Sequence, residues 1–133
     1  MKLENKISNW LDNYLIKYNF ETFVVGISGG IDSAVTSTLC AMTGKKNIVL
    51  TMPIYQNKNE TDRGKKHIMW LKNKYDAIED HHIDLTSTYE SIKNSIPIKF
   101  HNNLSLANTR ARIRMSTLYL LAGGSNGIVV GTG

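Results

Sequence analysis

The chain predicts an α/β fold, an open and mainly parallel sheet flanked by helices. Short apolar runs alternate with stretches of helical periodicity, and the connections between them are short. Two of the runs are closed by residues that end strands, Gly26 and Pro53. A serine-glycine turn, "SGG" at residues 28–30, leads from the first run directly into a helical segment. At 133 residues the chain suffices for one domain with its own core. No internal repeat, low-complexity segment or interdomain linker interrupts it.

Leu3, Ile7, Trp10, Leu11, Tyr14, Leu15 and Tyr18 recur at steps of three and four, which predicts an amphipathic first helix. "TFVVGI" (22–27) is a short run rich in β-branched residues and reads as a buried strand. Residues 32–42 are small or apolar and predict a second helix, with Gly44 placed to close it. "NIVLTM" (47–52) is the second strand, ended by Pro53. "NETDRGKKHIMWLKNKY" (59–75) predicts a helix with Ile68, Leu71 and Tyr75 inward. "HHIDL" (81–85) reads as the third strand and "TSTYESIKNSI" (86–96) as a short helix started by a Thr or Ser cap. After a loop with Pro97 and "HNN", residues 104–124 predict a long helix ending at a glycine pair, and "GIVVGTG" (127–133) is the fourth strand. In such sheets ligands bind outside the carboxyl ends of the strands. The chain stops at that edge, which predicts that residues 1–133 are the N-terminal portion of a longer protein.

The formal charge of +5, from 16 basic and 11 acidic residues, suits an anionic partner such as a nucleotide, a dinucleotide or RNA without choosing among them. The single cysteine, Cys40, excludes an internal disulfide and fits a reducing cytoplasm, and its apolar helical setting predicts a small core residue. The N-terminus carries charges throughout and resembles no signal peptide. No run approaches the roughly 20 apolar residues that a membrane span needs. A soluble cytoplasmic domain is expected.

The turn at residues 28–30 carries the chemistry. Two adjacent glycines allow positive φ and close approach, so consecutive N–H groups can converge on an anion. The following helix adds its dipole, and the hydroxyls of Ser28 and Ser33 add donors. The P-loop pattern is absent, because no lysine follows the glycines, and the spacing also fails G-x-G-x-x-G. Asp32 makes the difference. A carboxylate beside bound phosphates repels them unless Mg²⁺ bridges the two. The implied ligand is a magnesium polyphosphate gripped by its terminal phosphates, with the α-phosphate left open to attack. The alternative is a plain tight turn with Asp32 capping its own helix. The strand before, the helix after and the serine-flanked acid favour the ligand site.

"SGGIDS" at residues 28–33 resembles the S-G-G-x-D-S signature of the ATP pyrophosphatases at every fixed position. That resemblance implies a Rossmann-like, adenine-nucleotide alpha hydrolase-like fold. It also implies a reaction in which a substrate is adenylated and pyrophosphate is released. "MPIYQ", "LANTRARIRMSTLY" and "VVGTG" are similar, in order and spacing, to the NAD synthetases, and the likeness runs through nearly the whole chain. The more discriminating part is the helix with Asn108, Ala111, Arg112, Arg114, Met115 and Tyr119.

Carried over by residue, the resemblance implies that Gly26, Ile27, Ser28, Gly29, Gly30, Ile31, Asp32 and Ser33 bind ATP, with Asp32 also a magnesium ligand. Gln56 and Thr132 match ATP-contacting positions, and Asn108 and Arg112 match positions that contact deamido-NAD. Two features depart from the family pattern: Thr51 stands where many members carry arginine, and "NKNETD" where an acidic pair often follows. A further magnesium-binding glutamate and a mobile loop would lie beyond Gly133. The partners implied are ATP, deamido-NAD and ammonia, without nucleic acid or membrane, in a homodimer with the long helix at its interface. Only one helix precedes the first strand, so ammonia rather than an attached glutaminase is the expected nitrogen source. The rival readings are an ATP pyrophosphatase acting on tRNA or a purine nucleotide, and a non-catalytic nucleotide-binding module.

Other residues carry less. Positions 112 and 114 step about 200° and 400° round the helix from Arg110, so Arg110 and Arg114 share a face and Arg112 points away. Arg114 is expected to be structural or interfacial. Leu106, Met115, Leu118 and Leu121 are expected in packing, and Trp10 and Trp70 in a core or an interface. His81 and His82 with Asp84 suggest a metal site, but adjacent strand residues point to opposite faces.

Overall fold

β1 (Thr22–Gly26), β2 (Lys46–Thr51), β3 (Ile78–His82) and β4 (Gly127–Val129) are all parallel and lie in the order β3-β2-β1-β4. The protein is represented by a computed structural model that describes residues 1–131. α1 (Leu3–Lys17), α2 (Ile31–Ala41) and α3 (Lys58–Lys74) cover one face, where Leu11, Leu15, Cys40, Ile68 and Leu71 pack on Phe23, Val25 and Val49. α4 (Thr86–Ser95) and α5 (Asn103–Gly124) cover the other, where Tyr89, Ile113 and Ala122 pack on Val24, Ile48 and Leu50. Alternate residues of β1 and β2 therefore enter opposite cores, which is why both runs are apolar without interruption.

The connectivity positions the site. From β1 the chain moves outward through α2, β2, α3 and β3, then returns over the opposite face through α4 and α5 to lay β4 on the other side of β1. The direction of winding reverses between β1 and β4, and a crevice opens at the carboxyl ends of the strands at such a reversal. The loop at residues 27–30 leaves β1 at that point.

Three expectations are corrected, the bounds of β3, the end of β4 and the extent of burial along α1. β3 spans Ile78–His82 rather than residues 81–85, pairing Ile78 with Asn47 and His82 with Thr51. It is an edge strand, so its charged residues reach solvent and its apolar content is low. Ile83 and Leu85 still bond to the Thr51 and Pro53 carbonyls (both 2.9 Å) beyond the strand proper. β4 ends at Val129 rather than running to 133, and Thr132 lies outside the described residues. Leu11 and Leu15 alone among the seven periodic residues of α1 are buried. Trp10 is 62 % exposed, in a surface row with Tyr14 and Tyr18, and Trp70 is 45 % exposed. Of the two settings expected for the tryptophans, a core or an interface, the exposure removes the core. A helix packed at the rim of a sheet buries a narrower stripe than its periodicity offers.

Cys40 is buried, and burial pushes its thiol pKa up to about 12, so it behaves as a small apolar residue. His67 of α3 joins the Ser37 hydroxyl of α2 at 2.9 Å and stacks on Trp70. Burial lowers its pKa from the ordinary 6.5. As pH falls, the unfolded chain therefore takes up this proton before the folded one. The stabilising contribution of neutral His67 is complete above 6.5 and is lost below it, down to the folded value. Urea unfolding between about pH 7.5 and about pH 5.5 is expected to show stability falling with pH, and His67→Gln to flatten that slope. An unchanged slope in the variant would contradict this assignment.

Candidate functional site

The loop after β1 is tied at both ends by two serines. The Ser28 N–H donates to the Ser33 hydroxyl at 3.1 Å, the two hydroxyl oxygens lie 3.2 Å apart, and the Gly30 N–H donates to the Ser28 hydroxyl at 3.2 Å. Ser33 in turn donates to the Gly30 carbonyl. Gly29 has a φ of +90°, a conformation that side-chain-bearing residues rarely adopt, and a Cβ there would collide with the Glu60 carbonyl oxygen. Gly30 is the N-cap of α2, and no side chain caps that helix. The first-turn N–H groups are thus left to an incoming anion, at the positive end of the dipole.

α3 fastens the loop from behind. Gln56, just before it, donates to the Ser28 carbonyl (3.3 Å) and to the Glu60 carboxylate (3.0 Å), while Arg63 donates to the Gly29 carbonyl (3.3 Å). A trans peptide directs its N–H opposite its C=O, so these bonds turn the Gly29 and Gly30 N–H groups away from their Gln56 and Arg63 partners. Gly64 lets the helix approach: a Cβ at this position would come within 3.2 Å of Thr51 Cγ2 and 3.6 Å of the Gly29 nitrogen. Gln56 was expected near the site and is there. Glu60, Arg63 and Gly64 were missed, although a glycine inside a helical pattern is a signal of close approach.

Asp32 is exposed in the first turn of α2 and makes no ion pair among the described residues. No group of three or more metal-binding side chains occurs among the described residues. One carboxylate beside an anion cradle nevertheless fits Mg²⁺, which binds through one or two carboxylates together with substrate phosphates. The loop opens into a hollow of about 480 Å³ bordered by Gly26, Ile27, Met52, Arg114 and Leu118.

Arg110 and Arg114 do share a face. Arg110 donates to the Tyr89 hydroxyl at 3.2 Å, and Arg114 Nε donates to the Met52 carbonyl at 2.9 Å. Asn108 and Arg112 are exposed, and Arg112 borders a separate hollow between α4 and α5 with Thr88, Ile92 and Leu120. These two expected ligand residues are therefore not gathered with the loop. Leu106, Leu118 and Leu121 pack against the core, while Met115 is largely exposed. His81 pairs with Glu79 at 2.8 Å. His82 Nδ1 lies 2.8 Å from the Thr51 hydroxyl, and Asp80 is on its other side at 3.5 Å. The hydrogen bond from Lys72 holds the Asp80 carboxyl below its usual range.

A family model described as NAD synthase matches residues 3–133. The NH(3)-dependent NAD(+) synthetase of Carboxydothermus hydrogenoformans is 34 % identical over 133 residues, covering 96 % of this chain and 52 % of its own. Among solved structures, the NMN synthetase of Francisella tularensis superposes with a TM-score of 0.89 at 34 % identity, over 98 % of this chain and 52 % of that one. The NH3-dependent NAD synthetase of Campylobacter jejuni gives 0.87 at 29 %, over 98 % and 55 %. The chain spans about half the length of the curated relatives it matches.

The loop geometry separates its two glycines. Gly29→Ala is expected to lower the unfolding free energy by about 1–3 kcal/mol through backbone strain and the Glu60 collision. Gly30→Ala, at a φ of −92° with only Ser28 Oγ nearby at 3.4 Å, is expected to stay within about 0.5 kcal/mol. Urea titration of the two variants decides, and equal losses would refute the strained conformation.

Proposed function

From the premise that this chain belongs to the NAD synthase family, we propose that it forms the ATP-binding portion of an ammonia-dependent NAD synthetase. One observation carries the reading: an uncapped helix start with two glycines, two serines and Asp32, without a lysine, at the winding reversal of a parallel sheet. Such a cradle suits a pyrophosphate group held as a leaving group rather than a γ-phosphate held for transfer.

In the proposed reaction, the segment of residues 26–33 grips the β- and γ-phosphates of ATP through the Gly29 N–H, the first-turn N–H groups of α2 and the Ser28 and Ser33 hydroxyls. Asp32 would hold Mg²⁺ together with those phosphates, and the ion would supply neutralisation of their charge. Gln56 and Thr132 complete the ATP contacts, and Asn108 and Arg112 bind deamido-NAD. A carboxylate oxygen of the nicotinate attacks the α-phosphorus, and the bond to the departing pyrophosphate breaks. Ammonia then attacks the carboxyl carbon of the adenylate and loses a proton, and AMP leaves with the former carboxyl oxygen. No side-chain nucleophile is required. Positioning and the fixed donors supply the rate.

The Francisella likeness favours one second reading, amidation at the mononucleotide level, so both acceptors belong in the assay. We also place the enzyme in the cytoplasm, a reading supported by its buried free thiol. Among the described residues no helix is long and apolar enough to cross a membrane.

The full-length protein with ATP, Mg²⁺, ammonium and deamido-NAD is expected to yield NAD, AMP and pyrophosphate, and Asp32→Asn to reduce kcat by about a hundredfold or more. AMP formation only with tRNA or a purine nucleotide, or nucleotide binding without turnover, would refute the proposal. The homodimer is supported by the large apolar residues that α5 leaves exposed, among them Leu104 at 73 % and Leu120 at 78 %. Sedimentation is expected to show a dimer that Leu120→Glu converts to monomer, and a wild-type monomer at micromolar concentration would refute it.

A further inference from the structure

Among the described residues bordering the hollow beside the loop, Arg114 is the one that carries a charge. β2 sends no cation there, because its last residue, Thr51, is buried and bonds its hydroxyl to His82. The guanidinium of Arg114 is half-buried and anchored through Nε to the Met52 carbonyl. A guanidinium carries five N–H donors in a fixed plane, so the anchor sets that plane and leaves the two terminal amino groups for other acceptors. No carboxylate pairs with Arg114 or Arg110 among the described residues.

The two arginines stand one helical turn apart on the same face, an arrangement that is unfavourable between like charges. Burial and the neighbouring Arg110 both act to weaken the hold of Arg114 on its proton, burial the more. A partly buried, unpaired cation beside an anion cradle is relieved by an anion in the space between them. The hollow starts at Gly26, Ile27 and Ser28, so the part of a ligand that enters it is the part joined to the phosphates in the loop.

We propose that Arg114 binds the α-phosphate of the nucleotide whose pyrophosphate occupies the loop, with the Met52 carbonyl fixing its plane. This rests on the ATP-binding reading above. The terminal amino groups would form a charge-assisted pair with the non-bridging oxygens. Those oxygens carry the charge that grows as the carboxylate attacks and that stays on AMP when it leaves.

The test measures binding of AMP, adenosine and pyrophosphate to the full-length protein, wild type against Arg114→Gln and Arg114→Lys. Arg114→Gln is expected to weaken AMP by about ten- to a hundredfold. Adenosine and pyrophosphate should stay within about twofold, and lysine should recover part of the loss. Equal losses for AMP and adenosine would show that Arg114 acts only by supporting Met52, and no loss would show that it does not reach the phosphate. Either overturns the assignment. Should Arg114→Gln fail to fold, Arg114→Lys is read alone by the same comparison, a selective loss of AMP supporting the assignment and any other pattern overturning it. A wild-type protein that binds neither ATP nor AMP would refute the ATP-binding reading itself, and the assignment with it.

Discussion

The close approach of α3 to the loop after β1 is the constraint on which the rest depends. Gly29 lies so near the Glu60 carbonyl that no side chain fits, and Gly64 meets Thr51 and the loop nitrogen from the helix side. With α3 this close, Gln56 and Arg63 reach the loop carbonyls, and the opposite side of those peptides, with the uncapped start of α2, is left for a ligand. The approach in turn needs α3 to follow β2 directly and lie over β2 and β3, which the parallel winding provides. A Cβ at Gly29 forces the loop and α3 apart, and one at Gly64 crowds Thr51 at 3.2 Å. The consistency of these levels makes the site a property of the fold rather than of one loop.

The fold was largely legible because a parallel sheet covered on both faces writes its strands as uninterrupted apolar runs. β1 and β2 are of this kind, with every residue from Phe23 to Val25 and from Ile48 to Leu50 buried. The third strand reads three residues late because an edge strand has no such signature: Glu79 and Asp80 belong to no apolar run and show as strand only through their pairing with β2. In α1 periodicity overstated burial, since it marks which residues share a face and not how much of that face is covered. The loop itself was legible down to its individual residues, because glycines, serines and an acid at a strand-to-helix turn have few other uses. Gly64 and Arg63 were not, because their role arises from a neighbour that approaches only in three dimensions. Arg114 lay between these cases. Its pairing with Arg110 on one face followed from helical geometry, but the side of the sheet it faces did not.

The serine bonds across the loop bear on how a ligand is received. Ser28 and Ser33 join the two ends of the turn through a backbone and a side-chain contact, and Gly30 is held by the same hydroxyl. The conformational entropy of this segment is therefore lost when the chain folds, before any anion arrives. Docking becomes a nearly rigid encounter, in which the main opposing term is stripping water from the phosphates. The heat capacity of that step should reflect solvent leaving two polar surfaces rather than a peptide acquiring shape.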